Sequence, residues 1–226
     1  MIEIYKIFEL NIIIKEYIIN NILLNNIMKK IIILGCGGHS KVIIDLLFEL
    51  KQYEIVGMYD DVKTGDFCGI KILGKISELD ANLGYFIIGI GNDNIRKHIY
   101  EKYSYLNWAI LIHPKSIVSQ FANINVGTVV CAGAVIQTEV NIGKHCIINT
   151  NCNIDHESNI DDFCSICPGA TICGQVKIGS LTFIGANSTI IQCINIGNNC
   201  VIGAGSVIIR NIDNNSKIVG NPGKKI

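Results

Sequence analysis

Net charge is the first thing this chain lacks. Nineteen basic residues balance nineteen acidic ones in 226 residues, and charged residues make up only 17%. That balance removes the electrostatic footprint that nucleic acids and anionic membranes select, so neither is an expected partner. No uncharged apolar stretch is long enough to span a bilayer. The first 27 residues are rich in Ile and Asn but interrupted by Glu3, Lys6, Glu9, Lys15 and Glu16, and they lack a small-residue cleavage site. They do not read as a signal peptide, and residues 1–27 are expected to be an extension outside the fold. The chain also lacks a paired CxxC motif. Cys164-Ser-Ile-Cys167 stands alone with no histidine beside it, so no metal site is expected. Ten cysteines without a disulfide framework fit a reducing cytoplasm.

What is present is a period of six. Ile or Val recurs without a miss from Ile112, Val118, Ile124 and Val130 through Ile196, Ile202 and Ile208. An α-helix repeats every 3.6 residues and a simple strand every two, so neither produces this spacing. A solenoid with a short strand and a corner every six residues does, which is the signature of a parallel β-helix. A second series lies two residues before each aliphatic: Thr128, Ala134, Val140, Cys146, Cys152, Ser158, Cys164, Ala170 and onward to Cys200 and Ile212. It shares the inward strand face. Its cysteines are expected to act as small hydrophobes. Asn151, Gly169, Asn187, Asn199, Gly205 and Asn211 fall three places after an aliphatic, where a corner would tolerate positive φ. If three hexads close one coil, residues n and n+18 stack.

The solenoid is preceded by alternating strands and helices. Ile31–Leu34 reads as a buried strand running into Gly35-Cys36-Gly37-Gly38-His39-Ser40-Lys41, followed by a helix carrying Val42, Ile43, Leu46, Leu47 and Leu50. Residues 54–59 and 85–90 read as further strands, 94–103 as a helix, and 108–112 as a short strand. This is a βαβ unit on a parallel sheet. A glycine-rich strand-to-helix turn lets backbone N–H groups approach a phosphate, and the acids Asp60 and Asp61 after the second strand could accept from a ribose. The glycines read GxGG, short of the full dinucleotide fingerprint. His39 either contacts a bound sugar nucleotide or caps the helix. The organisation predicted is an extension (1–27), a Rossmann-like domain (28–111), a β-helix (112–213) and a tail (214–226).

Of the five histidines, His98 is expected on a solvated helix face, His113 in the turn before Pro114, and His145 at a solvated corner. His156 occupies the second corner position after Ile154 and is flanked by Asp155 and Glu157. One coil on, Gly174 is expected to leave space beside its ring for an acyl group. A neighbouring carboxylate orients an imidazole and raises its basicity, which suits a general base.

The stretch Ile147-Ile148-Asn149-Thr150 through Asp155-His156-Glu157, then Gly169-Ala170 and Gly174-Gln175-Val176-Lys177-Ile178-Gly179, resembles the sialic acid O-acetyltransferase and bacillosamine (UDP-4-amino-sugar) N-acetyltransferase family. The glycine loop, Asp60-Asp61, Gly91-Asn92 and the closing Val219-Gly220-Asn221-Pro222-Gly223-Lys224 extend the likeness over residues 28–226. Serine stands at 165 where some members carry histidine, and glycine at 223 where alanine is usual. The resemblance implies a triangular, left-handed β-helix assembled as a homotrimer. It implies His156 as base supported by Glu157, and a sugar or nucleotide-sugar substrate at Gly37, Gly38, His39, Asp60, Asp61 and Gly91. It implies acetyl-CoA as co-substrate near Ser165, Gly174, Ala186 and Ala204. The activity implied is direct acetyl transfer to a nucleotide-linked amino sugar, with O-acetylation of sialic acid as the alternative. A noncatalytic β-helix scaffold is the reading of another class. A solenoid carbonic anhydrase would need three histidines converging on zinc, and a serine O-acetyltransferase would carry a helical front domain.

Overall fold

A computed structural model describes residues 28–226; the extension expected over 1–27 lies outside the described residues. The front domain is a six-stranded sheet with helices on both faces. Its strands are β1 (Lys29–Leu34), β2 (Tyr53–Tyr59), β3 (Asp66–Phe67), β4 (Ile70–Gly74), β5 (Tyr85–Ile88) and β6 (Asn107–Trp108), in the order β3-β4-β2-β1-β5-β6. All neighbours run parallel except the β3–β4 hairpin, which sequence reading did not anticipate. β1 is central and buried on both faces, which is why it reads as a continuous apolar run. Helices α1 (Gly38–Leu50) and α2 (Asp93–Lys102) follow β1 and β5. Asn92 starts α2 by accepting the Ile95 N–H at 3.0 Å.

From Leu111 the chain winds as the solenoid. Two-residue strands stack at a spacing of eighteen, as in Val129↔Ile147↔Ser165↔Phe183↔Val201, and build three parallel ladders. Each coil donates its strand N–H groups to carbonyls of the next, for example Ile147 N–H to Cys164 O at 2.9 Å. The aliphatic series fills the interior, with Ile136 through Ile202 at 3% exposure or less. Each such burial contributes roughly 1.5–3 kcal/mol before chain entropy is offset.

The corners go further than expected. Every sixth residue from Gly127 through Gly205 has positive φ, including His145 (52°), Glu157 (58°), Phe163 (61°) and Gln175 (60°). Asn and Gly are therefore not required there. The corner N–H groups donate back to the preceding coil, as His145 N–H does to Val126 O and Glu157 N–H to Thr138 O, and these bonds hold residues of any type left-handed. Asn211 is the exception. The last coil is two residues short, bridging Ile196 to Ile212 and pairing Val201 with Lys217, so the corner after the second ladder loses its left-handed residue and the next one, Asn215, stacks on Asn199. The segment from 214 is no free tail, because Lys217–Val219 continues the first ladder and Lys224–Lys225 pairs back on it.

The second inward series also does more than fill space. Thr128, Ser158 and Thr182 donate to the carbonyls of Gly143, Cys173 and Gly197, each fifteen residues on, at 2.8–3.0 Å. Cys146 and Cys164 do the same through their thiols to Asp161 and Gly179 at 3.1 and 3.2 Å. Where the slot holds a donor it reaches this carbonyl, and cysteine there serves as a larger serine. Burial pushes the Cys152 thiol up to about 12 and raises Cys164 as well, so these thiols stay protonated.

The two domains share a core. Ile43, Leu46 and Leu47 of α1 lie against Leu111, Val129 and Cys131 on the outer face of the first ladder. His145, expected to be solvated, is instead wholly buried at this junction. Its ring lies 4.6 Å from Tyr100 and 4.7 Å from Trp108, and stacks on Phe163 of the next coil at 5.7 Å. Neither ring nitrogen finds a partner, and burial, then the nearby Arg96 and Lys144, lowers its pKa to about 3. Sequence period places the residue at a corner, but only docking of α2 turns that corner into interior.

Candidate active site

His156 follows the second-ladder strand Asn153–Ile154 and projects from the edge shared with the third ladder. Its backbone is held from two sides: its N–H donates to Asp155 Oδ1 at 2.8 Å and its carbonyl accepts from Gln175 N–H at 2.9 Å. Glu157, turned by its positive φ, brings Oε2 to 3.0 Å from His156 Nδ1. With the carboxylate ionised, Nδ1 carries a proton, and in the neutral ring the lone pair is then on Nε2. Asp155, the other flanking acid, is occupied with the backbone N–H.

The carboxylate has a second donor. Gln175 Nε2, one coil on, reaches the same Oε2 at 3.0 Å, and Cys193 Sγ, a further coil on, donates to Gln175 Oε1 at 3.4 Å. Glu157, Gln175 and Cys193 thus form one column of left-handed corners. The Gln175 bond, then the His156 bond, holds the Glu157 carboxyl below its usual range. Sequence reading passed over Gln175, although the period of eighteen places it above Glu157.

Gly174 has a different part from the one expected. Its missing side chain leaves no vacant niche, because the imidazole itself lies there. A Cβ at 174 would stand 2.6 Å from His156 Nε2 and 2.7 Å from Cε1.

The residues expected to hold substrate gather elsewhere. Gly38, His39, Val42 and Gly91 of the front domain face Ile147, Asn149, Ser165, Cys167 and Phe183 of the first ladder across a cleft of about 280 Å³. His39 does not cap α1. Its Nε2 is buried without a partner, and burial, then Arg96, lowers its pKa to about 4, so the ring enters the cleft wall neutral. Ser40 closes the glycine turn instead, accepting from Gly37 N–H and lying within 2.6 and 2.9 Å of the Gly35 and Gly89 carbonyls. Asp60 accepts from the N–H groups of Cys36, Val62 and Lys63, which together outweigh its burial and hold it acidic. Asp61 accepts from Ile76 N–H.

One chain therefore does not unite the predicted residues. His156, Glu157 and Gly174 form one cluster. Gly38, His39, Gly91 and Ser165 line a cleft on another side of the prism. Ala186 and Ala204 stack at the edge between the first and second ladders, linked by Gly205 N–H to Ala186 O. Gly37 lies beside the cleft at the N-terminus of α1.

Comparison with known proteins finds matches in both parts of the chain. Residues 30–103 match the PglD N-terminal domain family, and residues 175–210 match the hexapeptide repeat of succinyl-transferase. A UDP-N-acetylbacillosamine N-acetyltransferase of Bacillus subtilis (strain 168) is 35% identical over 115 residues, 46% of this chain. The match covers 52% of that protein, so the chain spans about half the length of this curated relative. The acetyltransferase domain of PglB from Neisseria gonorrhoeae FA1090, solved with acetyl coenzyme A, is 32% identical with a TM-score of 0.85, covering 88% of this chain and all of that one. PerB of Caulobacter crescentus, solved with CoA and GDP-perosamine, is 26% identical with a TM-score of 0.83, covering 87% of this chain and 97% of that one. Shared at both ends, in the front domain and in the coils, these likenesses show that the chain belongs to the hexapeptide-repeat sugar acetyltransferases, the family of the sialic acid O-acetyltransferases and UDP-4-amino-sugar (bacillosamine) N-acetyltransferases.

Proposed function

We propose that this protein is an acetyl-CoA-dependent acetyltransferase that acylates the amino group of a nucleotide-linked amino sugar, with His156 as general base. The observation that carries the reading is the His156–Glu157 pair: Nδ1 is tied to the carboxylate at 3.0 Å and Nε2 is left without a partner. Relatives described with acetyl coenzyme A and with GDP-perosamine support the two substrate classes.

In this reading the amine reaches Nε2 as the free base. As its nitrogen bonds to the thioester carbonyl, Nε2 takes the departing N–H proton, the carbon–sulfur bond breaks, and the imidazolium returns that proton to the leaving sulfur, which departs as the thiol. Glu157 stabilises the imidazolium that forms, and Gln175 keeps the carboxylate ionised and aimed. No covalent acyl-enzyme is invoked, since no cysteine adjoins His156 in sequence and Cys193, the thiol of this column, donates to Gln175. Gly174, Ala186 and Ala204 are proposed as the wall of the acetyl-CoA groove; Ser165, expected with them, stands instead in the front cleft, bonded to Asp93 and Arg96. Gly37, Gly38, His39, Asp60, Asp61 and Gly91 are proposed for the nucleotide sugar.

The separation of the two clusters supports a homotrimer in which one copy's edge meets another copy's cleft. The outer faces of the prism differ in a way that fits. The early coils of the first ladder are covered by α1 at Leu111, Val129 and Cys131. At its outward strand positions the third presents Asn123, Asn141, Asn159, Lys177 and Asn195, whereas the second presents Ile117, Val135, Asn153, Thr171, Thr189 and Val207. The second face, less polar than the third, is the one proposed to bury between copies. Among the described residues no helix is long and apolar enough to cross a membrane, and the reading places the reaction in the reducing cytoplasm.

The test is His156→Ala, assayed for thiol release from acetyl-CoA with UDP-N-acetylbacillosamine, GDP-perosamine and free sialic acid as acceptors. Loss of roughly a hundredfold or more in kcat with an amino-sugar nucleotide, from a folded trimer, is expected. Ordinary turnover by the variant, or wild-type transfer to sialic acid alone, overturns the reading.

A further inference from the structure

Arg96 is 2% exposed and has no part in the proposed chemistry, yet it makes more polar contacts than any other side chain among the described residues. Its guanidinium reaches three separate segments. Nη1 donates to the carbonyls of Ile90 (3.3 Å) and Gly91 (2.8 Å), in the loop between β5 and α2. Nε donates to the His145 carbonyl (3.0 Å), at one coil's corner. Nη2 meets Asp93 Oδ1 (2.6 Å), the Phe163 carbonyl (3.2 Å) and Ser165 Oγ (3.2 Å), the last two from the next coil. Ser165 in turn donates to Asp93 Oδ1 at 2.5 Å.

Two of these partners line opposite walls of the cleft. Gly91 belongs to the front-domain wall and Ser165 to the solenoid wall. Nothing lies within 4 Å of where a Gly91 side chain would begin, so Gly91 itself, unlike Gly89 and Ile90 before it, is not held by packed neighbours. The Arg96 bond to its carbonyl holds it. A buried ion pair is poor glue, because desolvation offsets most of its attraction, and apolar residues at a domain junction would serve as well. What a planar guanidinium supplies that apolar packing and lysine do not is a single geometry, five N–H donors in a rigid fork. His145 and Phe163 are stacked corners whose left-handed backbone aims both carbonyls at that fork.

We infer that Arg96 is a positioning residue that sets the separation of the two cleft walls, and through it recognition of the nucleotide sugar. The inference rests on the reading above for its link to turnover, but not for the clamp itself. Arg96→Lys keeps the charge and loses the fork. It is expected to raise KM for the better of UDP-N-acetylbacillosamine and GDP-perosamine about tenfold, with kcat and the KM for acetyl-CoA within twofold of wild type. Hydrogen exchange without substrate should quicken across residues 89–93 and 163–165 while coils 171–208 keep their protection. Asp93→Asn, a milder change that retains an acceptor, should give about a threefold rise in the same KM alone and decides the matter if the lysine variant does not fold. Unaltered exchange at 89–93, or equal rises in both KM values, overturns the clamp. A wild-type protein that acetylates neither amino sugar defeats the functional reading instead, and leaves the exchange result to judge Arg96.

Discussion

Substituting alanine for Gly174 separates catalysis from folding at the proposed base. The glycine does not adopt positive φ, so its backbone accepts a side chain without strain. The added Cβ would stand 2.6 Å from His156 Nε2, 2.7 Å from Cε1 and 3.2 Å from Cδ2. Ordinary carbon contacts are about 3.5 Å or more, so the ring must retreat by about 1 Å. Its side chain is 48% exposed, so swinging into solvent is easy, but doing so breaks the bond to Glu157. Misplacing a catalytic group by that distance costs about a hundredfold, or ~2.7 kcal/mol in the barrier. Gly174→Ala should therefore lower kcat for thiol release about a hundredfold while Tm stays within about 2 °C of wild type. Wild-type kcat in a folded variant would show that the ring position over Gly174 is not the working one. A Tm loss of ten degrees or so would show that the glycine serves the coil rather than the imidazole.

Two further substitutions probe the solenoid. Thr182 donates to Gly197 O at 2.8 Å and accepts from Cys200 N–H at 3.1 Å, so Thr182→Val strands two buried groups and should destabilise by about 2–4 kcal/mol. Thr182→Cys should retain most of that stability, as the thiols of Cys146 and Cys164 already do this work; equal losses in urea midpoint for both variants would refute the donor role. His145 carries a pKa of about 3 against an ordinary 6.5. Between those values the unfolded chain binds a proton that the folded one refuses, so stability falls as pH drops below 6.5, by up to ~1.4 kcal/mol per pH unit for that proton. His145→Phe, with an aromatic ring already accepted at the stacked corner Phe163, should leave stability at pH 7 unchanged or higher and flatten the acid slope. His39 contributes its own share to the slope, so the slope should shrink rather than vanish. An unchanged slope between pH 7 and 5 would refute the account.

The period of six was enough to place the inward aliphatics and the position of His156 at an edge, and resemblance to the family supplied the three hexads per coil that set the ladders and the eighteen-residue stacking. The inward series follows from local geometry repeated many times, and repetition lets a weak pattern be read without error. The pairing of Glu157 with His156 was legible because adjacent residues share a corner. Gln175 needed only the same period applied once more. Where the repeat itself changed, at the sixteen-residue last coil, extrapolation failed at Asn211.

His145, Arg96 and Gly174 were beyond reach for a common reason. Each depends on what stands opposite it, and no local pattern records that. A corner histidine is solvated or buried according to whether a helix from another domain docks on it. An arginine in a short amphipathic helix reads as solvent-facing until Ile90, His145 and Phe163 all turn carbonyls toward it. Sequence alone determined the coil, because each hexad repeats one set of local demands. Tertiary structure alone decided the junction and its cleft, because contacts across 49 to 69 residues arise from two domains meeting and not from the preferences of either.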